Sequence, residues 1–160
     1  MSTLSSSKQT TIVNAAFLQE VKDSNYELWA TLHELRELVE TNETGDSCRK
    51  FVLSLEHLRD SLALEFSLEE TYGYITGARV LRTDATGDAE CTRRQHGALY
   101  LQLQEICEQA EEAEYRGTIA RDLAELMEAY AAFDSSFLAH EALEARVIDA
   151  SLGKSIEQFE

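Results

Sequence analysis

The chain has 160 residues, with no proline, seven glycines and a formal net charge of −16 at pH 7. This length suits one domain with a proper core and is short for two, so we expect a single domain over residues 1–160, with residues 1–7 disordered. The negative charge argues against binding to nucleic acid or to anionic membrane surfaces, because both would repel the protein. No apolar run approaches the roughly 20 residues that span a bilayer, and we predict no membrane association.

The three cysteines, Cys48, Cys91 and Cys107, are odd in number and form no CxxC pair. Neither a zinc ribbon nor a disulfide framework fits this usage, which suits a reducing compartment. The N-terminal segment also lacks the basic-then-apolar pattern of a secretion signal. We therefore predict a cytoplasmic protein.

The abundance of Leu, Ala and Glu favours helices, and the first is predicted from Lys8 to Glu40. Its apolar stripe has a spacing of three and four residues, and one position on it is polar, Asn25. The stripe comprises Leu18, Val21, Leu28, Leu32, Leu35 and Val39. The segment Thr41–Ser47 is rich in turn and capping residues and predicts a loop, with Asp46 or Ser47 as the N-cap of the next helix.

A second helix is predicted from Ser47 to Thr76. Its stripe is apolar in the first part and polar in the second. The apolar part comprises Phe51, Leu55, Leu58 and Leu62. The same spacing then gives Glu65, Glu69 and Tyr72. An apolar stripe does not normally accept two carboxylates, because an isolated buried charge is very costly. The two glutamates therefore predict a cation inside the protein, with Tyr72 one turn further on.

Residues Gly77–Asp88 predict the longest loop, with Asp88 as a cap. A third helix is expected from Ala89 to Glu114, and a tight connection at Arg116–Gly117 leads to a fourth helix from Thr118 to Leu152. Short connections between long amphipathic helices imply antiparallel neighbours. The predicted fold is an all-α, up-down-up-down four-helix bundle.

Polar residues interrupt the apolar stripes of all four predicted helices. At about 1.5 Å per residue, they lie at similar heights relative to the predicted loops and form one layer. The six residues are Asn25, Glu65, Glu69, His96, His140 and Glu144. Five of them are metal donors, two imidazoles and three carboxylates, and such a mixed set suits iron, manganese or zinc better than magnesium or calcium.

The pattern resembles the hemerythrin-like (HHE cation-binding) family, which repeats a helix with Asp/Glu-His-x-x-Leu and a helix with His-Phe-x-x-Glu-Glu. Gln95–Leu99 (QHGAL) matches the first element and His140–Glu144 (HEALE) matches the second. Glu65–Glu70 (EFSLEE) has the second element with glutamate in place of histidine. Ser24–Leu28 (SNYEL) has the first element with asparagine in place of histidine.

The resemblance implies that Glu69, His96, His140 and Glu144 are metal ligands, with Glu65 as a chemical substitute for a histidine. Asn25 and Tyr72 are candidates to support the ligands. The resemblance also implies a non-haem centre of one or two iron ions, with manganese or zinc as alternatives, that handles oxygen, nitric oxide, peroxide or iron itself. The departures in the first half argue against reversible oxygen transport.

Two other functions are compatible with the sequence. One is a metal-free helical bundle that acts as an interaction or regulatory module, and the other is a carboxylate-rich di-iron oxidase. Catalysis would need an open coordination position, which a sequence does not reveal, and neither a protein partner nor an oligomeric state can be assigned. His33 and His57 lie beside the stripes, and we expect both at the surface.

Overall fold

The computed structural model of the protein describes residues 10–41, 46–77 and 85–158. Within these ranges the chain forms five α-helices, one π-helical segment and one two-stranded sheet, so the predicted all-α class is confirmed. The elements are β1 (Thr10–Val13), α1 (Ala15–Ser24), α2 (Tyr26–Thr41), α3 (Asp46–Leu68), the π-helix (Glu69–Gly73), β2 (Tyr74–Gly77), α4 (Ala85–Arg116) and α5 (Ile119–Gln158). The up-down-up-down topology stays a prediction. The predicted disorder of residues 1–7 and the capping side chains of Asp46 and Ser47 lie outside the described residues.

The single first helix predicted over Lys8–Glu40 is wrong, since β1, α1 and α2 occupy this region. The Thr-Thr-Ile-Val run of β1 is β-branched and favours a strand. Two asparagines then start new helices as N-caps. The Phe17 N–H donates to Asn14 Oδ1 at 3.2 Å, and the Leu28 N–H donates to Asn25 Oδ1 at 3.2 Å.

The predicted second helix is wrong at its C-terminal end. The α-helix stops at Leu68, and a π-helical turn leads into β2. The two strands are antiparallel, with Ile12 opposite Ile75 and Val13 opposite Tyr74. A π-helical turn holds more residues than an α-helical turn, so it shifts the phase of the side chains that follow. This shift explains why Tyr72 is 58% exposed instead of lying on the inward stripe.

The third and fourth predicted helices exist, with different ends. Helix α4 begins at Ala85, so Asp88 lies inside its first turn and does not cap it. The predicted turn at Arg116–Gly117 is confirmed: Gly117 has a φ of 73°, which glycine adopts without strain. Helix α5 then begins at Ile119 and continues past the predicted end at Leu152. No helix in the described ranges is both long and apolar enough to cross a membrane.

The chain folds into two compact units. The first unit comprises Met1–Ser24, Phe66–His96 and His140–Glu160, and the second comprises Asn25–Glu65 and Gly97–Ala139. Helices α3, α4 and α5 therefore supply residues to both. The prediction of a single domain stays a prediction.

The second unit has an apolar core built from leucines and aromatic rings. Phe51 meets Tyr130 edge-on at 6.4 Å between ring centroids, and Trp29 lies 6.3 Å from Phe137. The largest fully buried side chains of this unit are Leu28, Leu32, Leu35, Phe51, Leu55, Leu58, Leu62, Leu103, Tyr130, Phe133 and Phe137. The cysteines are all free thiols, Cys48 and Cys107 buried and Cys91 exposed.

The first unit has its own core, to which both strands and three helices contribute. Its buried apolar cluster comprises Ala15, Leu18, Tyr74, Ala89, Val147 and Ile148, with Val13 packed against it. The closest approach is between α1 and the π-helix, where a Cβ on Gly73 would overlap the Leu18 side chain, with Leu18 Cγ only 3.0 Å away. The Asn14 N–H donates to the Gly73 carbonyl at 2.8 Å. Gly73 thus sets the contact that docks α1.

We expect Gly73→Ala to destabilise the protein by about 1–3 kcal/mol, because the added methyl must displace the fully buried Leu18. Chemical denaturation measures the change. Gly97→Ala is the matched control, since a Cβ there has no atom within 4 Å. In a helix interior that exchange should stabilise by about 0.5–1 kcal/mol. A Gly73→Ala protein as stable as the wild type would contradict the role given to this contact.

A hydrogen bond to an ionic cluster on α4 joins β1 to α4 in the same unit. Thr11 Oγ1 donates to Glu90 Oε2. Arg93 Nη2 and Arg94 Nε lie 2.7 and 2.8 Å from Glu90 Oε1. The hydrogen bond from Arg93 is the largest cause that lowers the pKa of Glu90, from 4.5 to about 2.

This lowered pKa predicts a pH-dependent part of the stability. Because the folded protein holds the charged carboxylate, the contribution is complete above pH 4.5 and is lost as the pH falls through about 2. We expect Glu90→Gln to lower the free energy of unfolding at pH 7 by up to about 1 kcal/mol. The difference between variant and wild type should shrink as the pH falls through this window. A difference that does not vary between pH 7 and pH 2 would contradict this assignment.

Candidate metal centre

Four of the predicted site residues lie in the first unit, and all four are buried. Glu69 starts the π-helix, His96 lies on α4, and His140 and Glu144 lie one turn apart on α5. Their exposed fractions are 0, 4, 1 and 0% in that order. His96, His140 and Glu144 each offer one ligand atom, and these atoms lie within 4.8 Å of one another.

The two carboxylates approach the imidazoles at distances just beyond hydrogen bonding. Glu69 Oε1 lies 3.4 Å and Glu144 Oε2 lies 3.6 Å from His96 Nε2. Glu144 Oε1 lies 3.7 Å from His140 Nε2. Among the described residues, no hydrogen bond satisfies the buried Nε2 atom of His96.

The other nitrogen of each imidazole has a close polar partner. His96 Nδ1 lies 2.9 Å from Glu70 Oε1, and His140 Nδ1 lies 2.8 Å from Gln95 Oε1. A carboxylate oxygen and an amide carbonyl both accept, so each Nδ1 carries the hydrogen. In the neutral ring, Nε2 then keeps its lone pair and points to the carboxylates. Metal-binding histidines are commonly held in this way.

Aromatic packing fixes the planes of the imidazoles. The Phe66 ring stacks on His96 at 4.2 Å with an interplanar angle of 15°. It also meets His140 edge-on at 5.9 Å, and the two imidazoles lie 5.1 Å apart. Rings held between apolar neighbours lose little freedom when they bind an ion, which favours a preorganised site.

A lysine enters the centre from α1. Lys22 Nζ forms an ion pair with Glu144 Oε1, and it lies 3.4 Å from Glu69 Oε2. It also donates to both oxygens of Glu141 at 3.0 Å. The Lys22 side chain is only 11% exposed. A buried ammonium thus offsets part of the negative charge of the carboxylates.

Tyr74, in β2, takes the place that the sequence suggested for Tyr72. Its hydroxyl donates to Glu144 Oε2 and lies 3.0 Å from Thr92 Oγ1. Burial and the adjacent Glu144 charge raise the pKa of Tyr74 well above its ordinary value. Tyr74 therefore stays protonated and serves as a fixed hydrogen-bond donor to the carboxylate.

The ionisation of the donors suits a metal ion. Burial is the main cause that lowers the pKa of His140 to about 4, so this imidazole is neutral at pH 7. Burial alone would raise the pKa of Glu144, but the contact with the His96 imidazole and the Lys22 charge outweigh it and hold the pKa below the ordinary range. Neutral imidazole and ionised carboxylate are the forms that bind metals.

The remaining predicted residues lie in the second unit. Glu65 is 1% exposed and accepts a hydrogen bond from Asn25 Nδ2 at 3.1 Å. That all six polar positions form one layer stays a prediction. The two histidines expected at the surface are there: the His33 side chain is 74% exposed and the His57 side chain 47% exposed.

The residues of the centre fit a metal ion. Two imidazole nitrogens and a carboxylate form a set typical of non-haem iron sites, and imidazole also suits zinc. The buried Nε2 atom of His96 lacks a hydrogen bond within the described part of the chain, and bound metal would satisfy it. His96, His140 and Glu144 would hold the ion, with Glu69 as a fourth donor.

Comparison with known proteins adds no family assignment. No protein-family model, no curated protein and no solved structure is significantly similar to this chain. The likeness to hemerythrin-like proteins therefore stays a prediction from the motif residues of the sequence.

Proposed function

We propose that this chain is a hemerythrin-like metal-binding protein whose first unit holds a divalent metal ion, with iron as the leading candidate. One observation carries the proposal: two imidazoles and a carboxylate converge in a buried site with their ligand atoms within 4.8 Å of one another. Such a set is costly to bury without a cation. It also contains the family motif residues of α4 and α5.

The hydrogen bonds around the centre support the same proposal. Glu70 and Gln95 hold the Nδ1 atoms of His96 and His140, which leaves both Nε2 atoms directed to the carboxylates. Each imidazole is therefore oriented by a partner outside the ligand set, as metal-binding histidines commonly are. A redox-active ion with an open coordination position would supply binding of oxygen, nitric oxide or peroxide. The chain's own residues orient the donors and keep the site enclosed.

One observation favours a second function, the metal-free interaction module. Lys22 already pairs with Glu69 and Glu144, so part of the buried negative charge is balanced by the protein itself. A helical protein stabilised by this ion pair alone would need no ion. Metal content of the purified protein separates the two functions.

His140→Ala is the direct test of the metal centre. We expect it to abolish most metal binding, because it removes one of the three convergent ligand atoms. Bound metal stabilises the folded state by about 2.7 kcal/mol at a hundred times its Kd, so the variant should lose the rise in Tm that iron(II) gives the wild type. Elemental analysis and thermal unfolding with and without iron(II) measure both effects. His33→Ala, at an exposed histidine, is the control and should change neither.

If both variants keep the same metal content and the same metal-dependent Tm, the centre described here does not bind the ion. If neither they nor the wild type bind metal after anaerobic reconstitution with iron(II), the metal-free function is correct.

Gln95→Leu tests the orientation of His140. It removes the acceptor for the Nδ1 hydrogen while all ligand atoms stay in place, so we expect metal affinity to fall by about tenfold to a hundredfold. Titration with cobalt(II), followed by visible absorption, gives the Kd. Gln109→Leu, at an exposed position of the same helix, is the control. An unchanged Kd for Gln95→Leu would show that this hydrogen bond does not support the centre.

A further inference from the structure

Glu69 and Glu144 each face two groups. Glu69 presents Oε2 to Lys22 Nζ at 3.4 Å and Oε1 to His96 Nε2 at 3.4 Å. Glu144 pairs through Oε1 with the same ammonium and lies with Oε2 at 3.6 Å from the same His96 nitrogen. Each of the two carboxylates therefore lies between the Lys22 ammonium and the position beside the imidazoles.

A carboxylate that faces two separate positions in this way could bridge two cations, one at each position. The position beside the imidazoles has nitrogen donors and suits a metal ion. The other position is surrounded by carboxylate oxygens and is occupied by the Lys22 ammonium. Its three N–H donors are directed among three glutamates. We propose that the Lys22 ammonium takes the place of a second metal cation, so that the centre holds one divalent ion and not two. This inference rests on the proposed metal-binding function.

The charges of the enclosed groups agree with one ion. An adjacent ammonium favours the ionised form of a carboxyl group. In that form Glu69, Glu141 and Glu144 bring three negative charges, and Lys22 returns one positive charge. The two negative charges that remain are neutralised by one divalent cation. A second divalent ion beside the ammonium would leave a buried positive excess, and an uncompensated buried charge is costly.

Other charged groups nearby do not change this balance. Glu70, which accepts from His96 Nδ1, lies 3.7 Å from Arg93 Nη1. Arg93 and Arg94 both contact Glu90. These groups form ion pairs of their own, outside the set that surrounds Lys22.

The position of Lys22 is held by the fold. It lies in the last turn of α1, and α1 docks where Leu18 packs against Gly73 of the π-helix, the same segment that begins with Glu69. The Lys22 side chain is 11% exposed and its ammonium contacts three glutamates, which leaves it little freedom to swing out when a metal arrives. The lysine is thus a permanent part of the centre.

The test is metal stoichiometry in Lys22 variants. Wild-type protein, reconstituted anaerobically with excess cobalt(II) or iron(II) and freed of unbound metal, should contain about one ion per chain by elemental analysis. Lys22→Met keeps a similar unbranched stem and removes the charge. We expect it to hold about two ions, and to bind the first at least about tenfold more tightly, because a positive charge a few ångströms away is gone.

Three further variants make the result specific. Lys22→Arg retains the positive charge and should stay at one ion. Lys50→Met, at an exposed lysine, should behave as the wild type does. Lys22→Gln is a second neutral variant, used if circular dichroism shows that Lys22→Met does not fold.

The outcomes separate the inference from the function on which it rests. Two ions per wild-type chain would overturn the inference and leave the metal-binding function intact. A folded neutral variant with one ion and an unchanged Kd would do the same. No metal in the wild type or in any variant would overturn the proposed function itself. One ion in the wild type and two in the neutral variant would establish Lys22 as the second cation.

Discussion

The first unit depends on one ionic contact, the pairing of Lys22 with the buried carboxylates of Glu69 and Glu144. Neither carboxylate has access to water, and a charge in that position must be balanced from inside the protein. The ammonium supplies one positive charge, and the imidazole of His140, whose pKa burial lowers to about 4, supplies none at pH 7. The ion pair therefore offsets part of the negative charge of the two carboxylates, and the metal ion proposed above would offset the rest.

The centre consists of an inner and an outer layer of residues, which have different roles. The inner layer, the imidazoles of His96 and His140 and the carboxylates of Glu69 and Glu144, comprises the candidate donors. The outer layer of Glu70, Gln95 and Tyr74 fixes the rings and one carboxylate by direct hydrogen bonds. The two imidazoles are thus oriented through their Nδ1 atoms, and their Nε2 atoms face the carboxylates. This division of roles is the arrangement on which the proposed metal centre depends.

The sequence predicted the candidate metal ligands better than it predicted the residues that contact them. Glu69, His96, His140 and Glu144 were detectable because each interrupts an apolar stripe, a signal that is independent of helix ends. Lys22 was missed because it stands beside Val21 on a helix predicted to be continuous, where a charged residue normally faces solvent. Tyr74 was missed because the π-helical turn changes the phase after Glu69. The strands are only four residues each, too short for their alternation to outweigh the helical pattern around them.

Helix α1 has a further consequence for the way the protein folds. At ten residues it is too short to be stable alone, and its lysine meets glutamates that lie far along the chain. Until α1 docks, burial of Glu69 and Glu144 is opposed by their own charge. We therefore expect closure of the first unit to be coupled to the docking of α1, through contacts between distant parts of the chain. Such contacts slow folding, because long loops have to close before the contacts form.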